Sequence, residues 1–166
     1  SEHFRPSTGA TAQLMSDLAN DLVALNWNVT VLTATPGAQS ATKEEPTVVR
    51  LNKTRGSQEA VDVFSKVVKG ASFLISCLKW CLMRGKRGDV ILIVSNPPFI
   101  GLLGPLVSVL KNLPYVFVFQ DLFPQTAVIS GLLHASSPVT NICQWLMDLI
   151  CKKAAKTVVL SNSMKA

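Results

Sequence analysis

Polar and acidic side chains follow the strand-like segments of this sequence, and they are the groups best placed to do chemistry. Asp121 lies two residues beyond the apolar segment Tyr115–Phe119. A carboxylate at such a position can act as a general base, anchor a polar ligand or cap a helix. Its neighbours Leu122 and Phe123 would shield it from water and raise its pKa. Asp121 is therefore the candidate catalytic residue, with a capping role as the alternative.

A turn of small residues, Ser7-Thr8-Gly9-Ala10, leads into a helical pattern. The start of a helix offers free backbone N–H groups to an anion, and Gly9 permits close approach of a ligand or a positive φ. The turn lacks the G-x-G-x-x-G of dinucleotide-binding proteins and the lysine of a P-loop. A ligand-binding turn and a plain turn, capped by Ser7 or Thr8, therefore both remain open.

A second polar turn, Ser95-Asn96-Pro97-Pro98-Phe99, follows the apolar segment Asp89–Ser95. Its two prolines stiffen the loop and remove two backbone donors. Ser95 and Asn96 can donate or accept hydrogen bonds, and Phe99 can form an apolar wall. The alternative is a rigid turn that only ends the strand.

Other kinds of active site are not supported by the residue types. His3 and His134 are the only histidines, and no Ser-His-Asp set or catalytic pair of carboxylates can be assembled from the sequence. The four cysteines lie in apolar helical segments without a histidine or acidic residue at ligand spacing, which favours buried free thiols of a cytosolic protein. We expect no metal and no cofactor.

Helical and strand-like segments alternate along all 166 residues, which predicts one domain with a doubly wound, mainly parallel sheet and helices on both faces. In such folds ligands bind beyond the carboxyl ends of the strands. The opening turn has no strand before it, so we expect that the sequence lacks an N-terminal strand. The predicted helices are Thr11–Leu25, Ser57–Arg84, Phe99–Leu110, Ala127–Leu133 and Pro138–Ala155. The predicted strands are Val29–Ala34, Thr47–Leu51, Asp89–Ser95, Tyr115–Phe119 and Thr157–Leu160.

The net charge is +6, and six of the sixteen basic residues lie between Lys66 and Arg87. On the helix Ser57–Arg84 one apolar stripe, which includes Val68 and Ile75, is expected to pack on the sheet. Phe73 and Trp80 then point the other way, framed by three cations, Lys66, Lys69 and Lys79. This arrangement is typical of a helix that lies on a membrane surface, and a protein partner is the alternative. Its apolar part is too short to span a bilayer.

Four segments together resemble the N-terminal half of a GT-B glycosyltransferase, in particular the GT4-like enzymes of bacterial capsule, O-antigen and exopolysaccharide assembly. They cover nearly the whole chain in family order and read "EHFRPSTGATAQLMSDLANDLVALNWNVTVLTATP", "DVILIVSNPPFIGLLG", "PYVFVFQDLFPQTAVISGLL" and "AAKTVVLSNSMKA". Two positions depart from the family pattern. Asn26-Trp27-Asn28 replaces the usual Gly-His, and Gln120 stands where the acidic loop often has an arginine.

The resemblance implies roles for individual residues. Gly9 and Ala10 would lie near the donor phosphates or the acceptor sugar, and Asp121 near the transferred sugar. Three residues would line the acceptor cleft: Ser95, Asn96 and Pro97. The second domain, which holds most of the nucleotide-sugar site in the family, is not in this sequence.

The reaction implied by the resemblance is transfer of a sugar from a nucleotide-sugar to a lipid-linked glycan precursor in polysaccharide biosynthesis, with retention of configuration. The protein would be peripheral on the inner face of the cytoplasmic membrane, and this piece alone would be inactive. The alternative is a non-catalytic, membrane-associated subunit that recruits a separate donor-binding chain. A nucleic-acid partner is not expected, since no recognition motif for one is present.

Overall fold

The computed structural model describes residues 4–35, 37, 45–51, 63–95, 98–120, 124–131, 134 and 136–160. The helices are α1 (Ala10–Ala24), α2 (Val63–Arg84), α3 (Leu103–Lys111), α4 (Gln125–Ile129) and α5 (Pro138–Lys153), with a 3-10 helix, Pro98–Leu102, before α3. The strands are β1 (Thr30–Thr33), β2 (Thr47–Arg50), β3 (Ile91–Val94), β4 (Tyr115–Phe119) and β5 (Lys156–Val159). The predicted α/β class with parallel strands is confirmed.

The chain forms two compact units, Ser1–Cys77 and Leu78–Ala166. In the first unit β1 pairs in parallel with β2, so that Thr30 lies opposite Thr47 and Thr33 opposite Arg50. The helix α1 precedes this pair and buries one face, made of small and flexible residues at helical spacing. These residues are Ala12, Met15, Ser16 and Ala19.

In the second unit three parallel strands hydrogen-bond in the order β3-β4-β5. The middle strand, β4, is paired on both sides, with Val118 opposite Val94 and Val158. Phe117 and Val118, which point to opposite faces of the strand, are 0% and 6% exposed, as expected for a strand covered on both faces. The described strands thus hydrogen-bond as a pair and a triplet, one group in each unit.

The helix α3 packs unusually close to β4 because it carries a glycine at the contact. A Cβ atom added at Gly104 would lie 2.5 Å from two ring carbons of Tyr115. The hydroxyl of Tyr115 donates a hydrogen bond to the carbonyl oxygen of Ile150, at 2.6 Å, and so joins β4 to α5. Burial raises the pKa of Tyr115 to about 12.

The helix α2 buries a different face from the one that the sequence predicts. Phe73 is only 1% exposed, and Cys77 and Cys81 follow it at four-residue spacing and are also buried. Val68 and Ile75, expected to pack on the sheet, are 50% and 62% exposed. The prediction that Phe73 points outward is therefore wrong. Both faces of this helix carry large apolar residues, and periodicity alone does not tell which face is buried.

Candidate functional site

At the carboxyl edge of the second unit, Ser95 joins the ends of β3 and β4. Its backbone N–H donates to the carbonyl oxygen of Val118 at 3.0 Å, and its hydroxyl accepts a hydrogen bond from the backbone N–H of Gln120 at 2.9 Å. Ser95 is only 2% exposed. Ser95 therefore holds the ends of two strands together. Its contact with a substrate remains a prediction.

Gln120 carries a buried hydrogen-bond acceptor at the same edge. Its side-chain oxygen, Oε1, is shielded from solvent and has no hydrogen-bond partner among the described residues. A buried acceptor without a donor costs about 1–3 kcal/mol, so a ligand that supplies a hydroxyl or amide donor would be favoured here. Gln120 cannot supply the positive charge of the arginine that the family often has, but it offers this acceptor.

In the first unit the opening turn leads directly into α1, with Gly9 as the residue before the helix. Gly9 has φ −65° and ψ 148°, which any residue can adopt, so the predicted alternative of a positive φ is wrong. A Cβ atom added at Gly9 would meet only the Ser7 hydroxyl, at 3.9 Å. Gly9 and Ala10 are both exposed. Neither backbone strain nor packing within the described chain requires a glycine at this position.

The expected cap from Ser7 or Thr8 is not formed: among the described residues no side chain caps α1. The amides of the first turn of an α-helix have no partners inside the helix, and they carry a partial positive charge. Such a helix start, with open space at Gly9, can accept the phosphate oxygens or hydroxyl groups of a ligand.

The carboxyl ends of β1 and β2 lie at one edge of their sheet, since the strands are parallel. The guanidinium of Arg50, the last residue of β2, donates to the carbonyl oxygens of Thr35 and Arg5 at 2.7 and 3.0 Å. The hydroxyl of Thr35 accepts a hydrogen bond from the backbone N–H of Phe4 at 3.0 Å. The segment that enters the opening turn is therefore attached to this edge.

The exposed face of α2 combines apolar and basic side chains. Val68, Ile75 and Met83 are 50–69% exposed. Lys69 and Lys79 are exposed beside them, whereas Trp80 is only partly exposed. We call these five residues, Val68, Lys69, Ile75, Lys79 and Met83, the basic apolar strip. The helix contains no acidic residue to oppose its positive charge.

Three predicted site residues, Asn96, Pro97 and Asp121, lie outside the described residues, as does the side chain of Lys66. Gly9 and Ala10 belong to the first unit and Ser95 to the second, and each is placed within its own unit. His3 also lies outside the described part, and His134 is exposed.

The cysteines are free thiols, and Cys77, Cys81 and Cys143 are buried, as predicted. Burial raises the pKa of the Cys81 thiol to about 11, against the opposing effect of the positive charge of Lys111. A buried, protonated thiol is a poor nucleophile, so Cys81 is a packing residue. Within the described ranges no cluster of three or more His, Cys, Asp or Glu side chains could hold a metal ion.

The fold and the site together define a Rossmann-like α/β protein whose polar groups lie at the carboxyl edges of parallel strands. Residues 9–166 match the family model described as "Glycosyl transferase 4-like domain". This match covers nearly the whole chain, so the chain belongs to the glycosyltransferase 4-like family. The resemblance found in the sequence is confirmed.

A curated relative is the protein described as "Probable glycosyltransferase WbjE" from Pseudomonas aeruginosa. It is 30% identical to this chain over 83 residues, which are 50% of this chain and 21% of the relative. The chain therefore matches only about a fifth of that protein's length. No solved structure matches the chain significantly. None of the described helices is both long and apolar enough to cross a bilayer.

Two residues of the site, Arg50 and Gln120, were not assigned a role by sequence reasoning. Arg50 could have been found from the sequence, because it is a cation at the end of the apolar strand Thr47–Arg50. Two partners of Arg50 are the backbone carbonyls of Thr35 and Arg5, which leave no pattern in the residue types. The orphan oxygen of Gln120 depends on tertiary burial, which the sequence does not show.

Proposed function

We propose that this chain is the acceptor-side half of a glycosyltransferase that moves a sugar from a nucleotide-sugar to a lipid-linked glycan precursor in polysaccharide biosynthesis. Membership of the glycosyltransferase 4-like family supports the class of reaction. The name of the relative, a probable glycosyltransferase, supports the same class. The acceptor, the lipid link and the pathway are parts of the proposal.

The observation that carries the site assignment is the unexplained glycine at the start of α1. Gly9 has an ordinary φ and open space around its missing side chain. A glycine that folding does not require is explained if a substrate comes close to its backbone. The adjacent amides of the first turn would then bind oxygen atoms of the sugar or its phosphates.

In the second unit we assign Ser95, Asn96 and Pro97 to the wall of the acceptor cleft and Asp121 to the neighbourhood of the transferred sugar. The hydrogen bonds of Ser95 set the distance between the ends of β3 and β4, from which these loops start. A sugar hydroxyl would reach the Oε1 of Gln120 only when this side chain turns out of its shielded position, where it lacks a donor among the described residues. No step of this proposal requires a metal.

Contact with a membrane is a further part of the proposal, and it uses the basic apolar strip. Positively charged side chains beside exposed apolar ones fit an anionic bilayer surface, where the apolar groups enter the headgroup region. This surface differs from the one that the sequence predicts, because Phe73 is buried. An acceptor carried on a lipid would be reached from such a position.

The test of the site is Gly9→Ser in the full-length protein that contains this chain. Serine is at least as good as glycine before a helix, so the stability of the fold should be unchanged or slightly higher. The added side chain should obstruct the substrate, and we expect kcat/KM for sugar transfer to fall at least about tenfold, which corresponds to 1.4 kcal/mol. The measurement is initial rates together with a thermal melt.

The matched control is Ser130→Ala, at an exposed position after α4, where we expect no change in either quantity. Normal transfer by Gly9→Ser would remove Gly9 from the substrate site. If the unaltered full-length protein transferred no sugar with any nucleotide-sugar donor, the proposed activity itself would be rejected.

A further inference from the structure

The side chain of Arg50 connects three segments of the first unit that are far apart in sequence. One terminal nitrogen, Nη1, donates to the carbonyl oxygen of Thr35 at 2.7 Å, just beyond the end of β1. The other, Nη2, donates to the carbonyl oxygen of Arg5 at 3.0 Å, in the segment before α1. Arg50 itself ends β2, so one guanidinium bridges both strand ends and the entry to the opening turn.

The bridge is reinforced by hydrogen bonds that include Thr35. Its hydroxyl accepts from the backbone N–H of Phe4 at 3.0 Å, and its own N–H donates to the hydroxyl of Thr33 at 3.1 Å. Phe4 is 3% exposed and Thr33 is fully buried, so both ends of this connection are anchored in the core. The segment from Phe4 to Gly9 is thus attached to the edge at two places.

A glycine makes room for the guanidinium. A Cβ atom added at Gly37 would lie 3.0 Å from both Cζ and Nη2 of Arg50, and 3.1 Å from Cδ of Pro6. These distances are shorter than ordinary carbon contacts. The backbone at Gly37, the guanidinium of Arg50 and the ring of Pro6 are therefore packed against one another without space for a further methyl group.

The chemistry of arginine suits this position. Its planar group presents donors in fixed directions, so it can bond two carbonyl oxygens at once, whereas lysine is a single flexible point charge. Hydrogen bonds from a charged donor are about twice as strong as neutral ones. The ion pair of Arg5 with Asp17 cannot replace them: the charged atoms are 3.7 Å apart, and the side chains are 61% and 59% exposed.

We propose that Arg50 is a positioning residue, whose guanidinium holds the segment 4–9 against the carboxyl edge of β1 and β2 and so fixes the first turn of α1 for substrate binding. The link from Arg50 to substrate binding rests on the proposed function. The placement of the segment 4–9 by Arg50 does not.

The experiment compares Arg50→Met, Arg50→Lys and the control Arg5→Ala in the full-length protein. Methionine keeps a long apolar side chain without donors, and lysine keeps one charge and a partial bridge. Arg5→Ala retains the carbonyl oxygen that Arg50 uses and removes only the exposed ion pair. The two readouts are amide hydrogen exchange of a peptide covering residues 4–12, and KM and kcat for sugar transfer.

In Arg50→Met we expect exchange in residues 4–12 to become at least about tenfold faster and KM to rise about tenfold, with a smaller change in kcat. Arg50→Lys should recover part of both effects, and Arg5→Ala should match the unaltered protein. If Arg50→Met does not fold, Arg50→Gln serves in its place. Glutamine keeps a polar side chain but is too short to reach both carbonyl oxygens.

Unchanged exchange in the Arg50→Met protein, or in Arg50→Gln where that variant takes its place, would overturn the attachment of the segment, whatever the activity. Faster exchange with unchanged KM and kcat would overturn the link to substrate binding. A full-length protein that transfers no sugar would instead defeat the proposed function, and the exchange comparison would still decide whether Arg50 holds the segment.

Discussion

At the scale of single residues, the buried thiol of Cys81 makes the stability of the second unit depend on pH. Burial raises the pKa of Cys81 to about 11, and the nearby Asp89 adds to this effect, while Lys111 opposes it. In the unfolded chain the thiol ionises at about pH 8.5. Between these two values the unfolded form loses its proton first, so the free energy of unfolding falls as the pH rises.

We therefore expect the urea midpoint of unfolding to decrease from pH 8 to pH 10, and to decrease less in Cys81→Ala. The comparison with the variant is needed because burial also raises the pKa values of Tyr115, Cys143 and Cys151, which contribute to the pH dependence in the same range. An identical pH dependence in the two proteins would show that Cys81 does not contribute. Below pH 8 the thiol is protonated in both states, and no dependence on Cys81 is expected.

At the scale of elements, the contact between α3 and β4 depends on the absence of a side chain at Gly104. Inside a helix, alanine is favoured over glycine by about 1 kcal/mol. Here the added methyl group would lie 2.5 Å from the ring of Tyr115, which the Ile150 carbonyl holds in place. Overpacking of this kind costs about 1–3 kcal/mol.

We expect Gly104→Ala to lower the free energy of unfolding by up to about 2 kcal/mol, which is the packing cost less the gain in helix propensity. Chemical denaturation followed by circular dichroism measures this. The control is Val109→Ala on the same helix. Val109 is 73% exposed, so we expect the free energy of unfolding to change by no more than about 0.5 kcal/mol. A more stable Gly104→Ala protein would show that α3 moves away from β4 at little cost.

The basic apolar strip on α2 gives a second prediction at this scale. In Ile75→Ser with Met83→Ser we expect binding to vesicles of anionic lipid to weaken at least about tenfold, since two apolar side chains no longer enter the interface. The measurement is co-sedimentation with anionic vesicles, compared with vesicles of neutral lipid.

The matched control is Val139→Ser with Ile142→Ser, two comparably exposed apolar residues on α5. These changes should leave vesicle binding unaltered. An equal loss of vesicle binding in both double variants would indicate that exposed apolar side chains anywhere on the protein contribute, and not those of the basic apolar strip in particular. Unchanged binding in the α2 variant would remove the basic apolar strip from the proposed membrane contact.

At the scale of the whole molecule, the short match to the relative bears on activity. The matched segment is 21% of that protein's length, and sugar transfer requires donor and acceptor to be held in a fixed mutual orientation. We expect the isolated 166-residue chain to transfer no sugar, and a longer protein with a second, nucleotide-sugar-binding domain to be active. Product detection by mass spectrometry after incubation with donor and acceptor tests this. Turnover by the isolated chain would contradict it.

Much of the fold follows from the sequence because its local signals are strong. The continuous apolar run Tyr115–Phe119 predicts β4 at the bounds that the structure shows. The proline at the first turn of α5 predicts its start at Pro138. The predicted start of the helix Phe99–Leu110 is wrong, because a 3-10 helix, Pro98–Leu102, takes the place of its first part.

The site is less accessible to sequence reasoning. Gly9 can be singled out because a glycine before a helix is visible in the sequence, and Ser95 because it follows a buried strand. The choice between the two apolar faces of α2 is made by tertiary packing, which buries Phe73 and exposes Ile75. The role of Arg50 rests on carbonyl groups that every residue has, so no residue type marks its partners.

The buried position of Tyr115 has an optical consequence. It is the single tyrosine among the 166 residues. A phenol in water ionises near pH 10 and then absorbs at longer ultraviolet wavelengths, whereas burial raises the pKa of Tyr115 to about 12. Within this chain, tyrosinate absorbance that appears near pH 10 therefore reports that water has reached the junction of β4 and α5. The chain thus contains its own label-free probe for the opening of its central strand.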